Sequence, residues 1–147
     1  MLGKLLLTLD AIGLLLGAPL ADYNETHIFN TRWPPHAKFH GAQTITLSVI
    51  LGLATLYYTW QPSFSGKQEA KTVQGKWAAR QRKRDGLKTA VFTGTIYWLA
   101  GLAAVLYPGT DGVDPEFGTP GTFPQAKIFI SFAGLGVLGF LVEMLLG

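Results

Sequence analysis

The chain has 147 residues, 48% of them hydrophobic and only 14% charged, and its mean hydropathy is positive, so it is too apolar for an ordinary soluble domain of this length. It contains no cysteine, which excludes disulfides, thiol nucleophiles and cysteine-ligated zinc. The net charge of +3 is unevenly spread, with eight of the twelve lysines and arginines inside residues 67–88, so it points to no nucleic-acid partner.

Crossing a hydrocarbon core about 30 Å thick takes roughly 20 mostly apolar helical residues. Four segments qualify in chain order: Leu5–Ala21, Gly41–Trp60, Thr89–Tyr107 and Ala126–Leu146. In the first, Lys4, the apolar run and the small residues Ala18–Ala21 also fit a cleavable signal peptide. Asp10 inside the run and Pro19 near the cut favour a retained helix. Pro34 and Pro35 precede the second segment, where proline suits a helix start, and Tyr57, Tyr58 and Trp60 close it with an interfacial anchor. Tyr107 and Pro108 end the third, and Pro124 precedes the fourth. No segment alternates as a barrel strand does. The expected fold is all-α: one domain over 1–147, a membrane bundle of four helices.

Basic residues orient such a bundle. The 61–88 loop holds eight of them, whereas residues 22–40 have Arg32 and Lys38, and 108–125 have none. The basic loop and both termini are therefore expected in the cytosol, with 22–40 and 108–125 lumenal and the endoplasmic reticulum as the expected membrane. The basic run Arg80–Arg84 reads as a topology determinant touching anionic lipid. Asp10 and Glu143 are expected toward the cytosolic ends of their helices, paired with Lys88 or snorkelling. Gly134, Gly136 and Gly139 spell the dinucleotide fingerprint, but they sit inside an apolar helix rather than after a strand. Close helix packing, or a homo-oligomer through this helix, explains them better, with Gly94, Ala100, Gly101 and Ala104 as a complementary surface.

The segment between the first two helices carries the chemistry. All three histidines, His27, His36 and His40, fall within residues 22–40, beside Asp22, Asn24, Asn30, Arg32, Tyr23 and Trp33. Three readings compete. His36 and His40 are spaced i, i+4 and, with His27, could ligate a metal. Asp22, the imidazoles and Arg32 could instead move protons without a cofactor, and the sequence suggests none. Or the polar groups simply tie the loop, with Arg32 paired to Asp22 and Trp33 and Phe39 as interfacial anchors. Asn24-Glu25-Thr26 is also a glycosylation sequon, placed close to the membrane.

The run from Asp22 through Thr26-His27, Phe29-Asn30 and Trp33-Pro34-Pro35-His36 to Phe39-His40 resembles the signature of a group of small, roughly four-helix membrane proteins found mainly in filamentous fungi. The resemblance covers about 20 residues. It implies a membrane bundle more firmly than an activity, and a setting in secondary metabolism only by analogy.

The leading expectation is a membrane-embedded enzyme acting on a hydrophobic small molecule (polyketide, terpenoid or lipid) by acid–base chemistry, such as epoxide hydrolysis, isomerisation or cyclisation. Asp22 would serve as base, His27 or His36 as acid, Arg32 would stabilise negative charge, and Asn30 and His40 would orient their partners. The alternative is a non-catalytic assembly or trafficking subunit in contact with lipid.

Overall fold

The computed structural model describes residues 1–64 and 72–146, with side chains left undescribed at 62–64. Helix α1 spans Leu2–Asp22, α2 Pro35–Phe64, α3 Val73–Ala103 and α4 Ala126–Leu146, with a 3-10 turn at Ala104–Leu106 prolonging α3. No strand occurs among the described residues. All four helices are long and apolar enough to cross a membrane, which makes the chain a multi-pass membrane protein by length and composition.

Two boundaries differ from the hydropathy reading. Helix α2 begins at Pro35, so His36 and His40 lie in its first turns. Proline fits there because the first helical amide has no acceptor inside the helix. Helix α3 begins at Val73 rather than Thr89, so residues 73–88 of the expected basic loop are helical, and residues 65–71 lie outside the described part. Thr72 caps α3, its hydroxyl accepting from the Gly75 amide at 3.0 Å. The run Ala78-Ala79-Arg80-Gln81-Arg82-Lys83-Arg84 is made of strong helix formers. Hydropathy locates the lipid-compatible stretch, and the helix continues past it.

The helices pack as an antiparallel square. α1 and α3 each contact α2 and α4, and they also meet across the diagonal, whereas among the described residues α2 and α4 do not meet. Leucines of α1 and α3 form the core with Trp98: Leu7 and Leu87 in one layer, Leu14 and Trp98 in the next. Around them the buried side chains are small and polar. Ser48, Thr55 and Thr59 of α2 are fully buried. Thr55 and Thr59 donate back to carbonyls one turn earlier, Thr55 also meets Thr93 of α3 at 2.9 Å, and Ser48 donates to Leu14 of α1. Such hydroxyls join helices where lipid supplies no hydrophobic drive between them. Outside, Leu5, Ile50, Leu53, Phe92 and Ile130 are more than half exposed, an apolar surface suited to lipid.

The glycines of α4 face α1 more than α3. A Cβ at Gly139 would stand 2.8 Å from the Gly3 carbonyl, and one at Gly136 would stand 2.7 Å from Asp10 Oδ2. Gly134 faces open space, while Gly101 of α3 seats the Phe129 ring of α4 and Gly94 faces Asp10. The two membrane acids also depart from expectation. Glu143 pairs with Lys83 at 3.2 Å and with the Met1 ammonium at 2.8 Å, while Lys88 pairs with Asp85 instead. Lys83 lies five residues nearer the start of α3 than Lys88, farther from the apolar stretch and beside the last turns of α4. Asp10 does not snorkel: it is fully buried, accepts from Trp98 Nε1 at 2.7 Å, and its Oδ2 has no partner.

Candidate functional site

The end of the bundle away from the termini is built from two connections, 23–34 and 107–125. The first folds by local hydrogen bonds. The Asn24 carbonyl accepts from the His27 and Phe29 amides, and Asp22 accepts from Ile28. The Asn24 side chain acts in both directions. Its Nδ2 donates to the Ala21 carbonyl at 2.8 Å, and its Oδ1 accepts from Thr26 N at 2.8 Å and Thr26 Oγ1 at 2.6 Å. Asn30 makes a second turn of this kind, its Oδ1 accepting from the Arg32 amide at 2.9 Å.

The second connection turns at Gly109 and Gly121, both at φ +77, a backbone conformation that favours glycine. Asp111 holds the loop closed, accepting the Gly112 and Gly121 amides at 2.7 Å each. The two connections are pinned together: Arg32 forms an ion pair with Glu116, and Trp33 Nε1 donates to Asp114 Oδ2 at 3.4 Å.

Between these loops and the ends of α2 and α3 lies a cavity of about 850 Å³. Leu47 and Leu51 of α2, Ile96 and Tyr97 of α3 and Phe129 of α4 form its apolar wall. Asp22 faces it from the end of α1, Thr26, His27 and Trp33 from the first connection, and Asp111, Asp114, Phe117, Phe123 and Gln125 from the second. This volume suits a small organic molecule, as does an apolar wall with a few converging polar groups.

The acid–base geometry centres on His27. Its Nε2 stands 3.7 Å from Asp22 Oδ1, and its Nδ1 stands 2.7 Å from Thr26 Oγ1. Asn24 determines which nitrogen carries hydrogen. Because Asn24 Nδ2 donates to a carbonyl, its Oδ1 must be the atom facing Thr26, and that atom only accepts. The Thr26 hydroxyl hydrogen is therefore spent on Asn24, so Thr26 Oγ1 accepts from His27 Nδ1–H. Neutral His27 then presents a bare Nε2 toward Asp22 and the cavity. A proton added between these two acceptors would give imidazolium beside carboxylate or imidazole beside carboxylic acid. This pair can take a proton from a bound molecule and return it elsewhere.

The other residues singled out from the sequence are dispersed. Arg32 is bound to Glu116, not Asp22, so it latches the loops. Asn30 is buried, shapes the backbone through Oδ1 and leaves Nδ2 without a partner. His36 and His40 are exposed and face each other, with Nε2 atoms 3.2 Å apart, and neither lines the cavity. His27 instead packs edge-on against Trp33 at 5.0 Å between centroids. No group of three metal-ligating side chains forms among the described residues, so the three histidines are not gathered as the metal reading requires. Asn24, the sequon residue, has its amide engaged with the end of α1. Asp111, Asp114, Gln125 and Tyr97 belong to the cavity but not to the sequence-derived set. The acidic character of 108–125 was the one sign of the first two.

A family model described as a family of unknown function, DUF6640, matches residues 6–145, and the chain belongs to that family. No curated protein and no solved structure matches the chain.

Proposed function

We propose that this member of DUF6640 is a membrane-embedded enzyme that moves a proton on an apolar molecule held in the cavity, with Asp22 and His27 as the working pair. The observation that carries the reading is their position: an imidazole and a carboxylate 3.7 Å apart, with the tautomer directed by Thr26 and Asn24, on the wall of an apolar cavity. Starting as imidazole beside carboxylate, His27 Nε2 accepts a proton from carbon or oxygen of the substrate, Asp22 steadies the resulting imidazolium, and the same proton returns to a second atom, which is an isomerisation. Starting as imidazolium beside carboxylate, His27 gives its proton to the substrate and regains one from the cyclised cation, which is a proton-initiated cyclisation. In epoxide opening, imidazolium gives its proton to the epoxide oxygen while Asp22 draws one from the attacking water, and the pair ends with the protons it began with.

The basic α3 extension orients the bundle with that end and both termini in the cytosol and the cavity toward the lumen or exterior. An endomembrane protein of secondary metabolism fits this arrangement, and the apolar wall fits a polyketide, terpenoid or lipid.

The test uses a host that depends on this chain for a metabolite, with product measured per unit of protein in the membrane. Asp22→Asn and His27→Gln should each lower turnover by about 10²–10⁴-fold while the protein accumulates. His36→Gln, outside the cavity, should leave turnover near wild type. Normal product from both Asp22→Asn and His27→Gln overturns the assignment in favour of a non-catalytic role.

A further inference from the structure

We infer that the molecule bound in this cavity carries a positive charge: an apolar body bearing a protonated amine, or one that becomes cationic when the site protonates it. This names the substrate class of the proposed site and rests on the reading of the cavity as that site.

The first ground is the charge inventory. Asp22, Asp111 and Asp114 face the cavity, and among the described residues no lysine or arginine lines it. Arg32, the arginine of the first connection, is taken by Glu116. Leaving Asp22 out of the count as the partner of His27, the carboxylates of Asp111 and Asp114 remain. Neither carboxylate is neutralised by its partners, because the Gly112 and Gly121 amides and the Trp33 indole are neutral donors. A cleft with low-dielectric walls concentrates such a field.

The second ground is independent of charge. Gln125 Oε1 is buried without a hydrogen-bond partner, while its Nε2 is spent on the Gly112 carbonyl. A buried acceptor without a donor costs free energy until a ligand supplies one. The third ground is the wall itself. Trp33, Tyr97, Phe117, Phe123 and Phe129 line it, and aromatic rings attract cations most strongly where water is excluded. An anionic ligand would meet two uncompensated carboxylates, and a neutral hydrocarbon would make no use of them or of Gln125.

The experiment uses the full chain in phosphatidylcholine nanodiscs and three photoreactive probes sharing one dodecyl chain with a diazirine. They end in a dimethylammonium, a hydroxyl or a carboxylate. Cross-linked peptides are mapped by mass spectrometry. The amine should label the cavity segments 96–104 and 113–125 at least about tenfold more than the alcohol, and the carboxylate least. Asp114→Asn should reduce amine labelling by about tenfold and leave alcohol labelling intact, which also reports that the cavity still forms. Equal labelling by amine and alcohol overturns the charge preference while leaving the cavity as a site. Preferential labelling by the carboxylate overturns it as well. Labelling of lipid-facing residues only, by every probe, overturns both this inference and the proposed function.

Discussion

Thr26→Val removes one hydroxyl and keeps the shape of the side chain, and the structure states what that hydroxyl does. It accepts from His27 Nδ1 at 2.7 Å and donates to Asn24 Oδ1 at 2.6 Å. Without it, Nδ1–H loses its acceptor, while Asp22 Oδ1 still waits 3.7 Å from Nε2. A net hydrogen bond contributes about 0.5–1.5 kcal/mol, which converts to a change of roughly two- to tenfold in the tautomer ratio. With the hydroxyl gone, the Asp22 carboxylate is the acceptor left beside the ring, so the shift runs toward Nε2–H. Turnover should fall by a similar factor, because the nitrogen facing the cavity then carries hydrogen where a base is needed. The assay is the ¹⁵N spectrum of histidine-labelled protein in nanodiscs, at a pH where the ring is neutral. A His36→Gln/His40→Gln background leaves His27 as the single histidine. The parent should show a protonated Nδ1 and a bare Nε2, Thr26→Ser should keep that pattern, and Thr26→Val should move toward its reverse. A parent spectrum with hydrogen on Nε2, or a Thr26→Val spectrum identical to the parent, would refute the relay.

Trp98→Phe should destabilise the protein by about 1–3 kcal/mol in SDS unfolding from mixed micelles, because it strips buried Asp10 of its hydrogen bond. Combining it with Asp10→Ala should recover part of that loss, and strict additivity would show that the bond contributes nothing. For topology, Ala78→Cys and Thr31→Cys are both exposed in a chain without other cysteines. In sealed microsomes an impermeant maleimide should label Ala78→Cys and spare Thr31→Cys, and the reverse pattern would invert the orientation.

The four spans were legible because lipid demands a run of apolar residues, and such runs need no partner to be seen. Where α2 and α3 begin was less so. Pro35 and the basic stretch from Val73 are helical for reasons of backbone chemistry that hydropathy does not register. The grouping of Asp22 with His27 was visible from local sequence, since five residues separate them at a helix end. The fates of Arg32 and Trp33 were not, because Glu116 and Asp114 approach only once the bundle closes. The i, i+4 spacing of His36 and His40 brought the rings together, but spacing cannot say which side of α2 meets the cavity. Thr26 was hidden by a motif: the Asn-x-Thr pattern that suggests glycosylation is here the spacing of a hydrogen-bond relay.

The meeting of Asp10 with Gly94 and Gly136 has a consequence for sequence evolution. The carboxyl occupies the space that side chains at both glycines would fill, so the three positions are not free to vary separately. A lineage that gained alanine at 94 or 136 would first have to shorten or lose the acid, and a lineage that lost the acid could then fill the glycines. Aligned relatives should therefore segregate into chains that keep aspartate with two glycines and chains that replace all three, with few mixtures of the two. The residue pairs involved span three different helices, so this covariation would register the α1–α3 diagonal contact and the α1–α4 seam without reference to any coordinates.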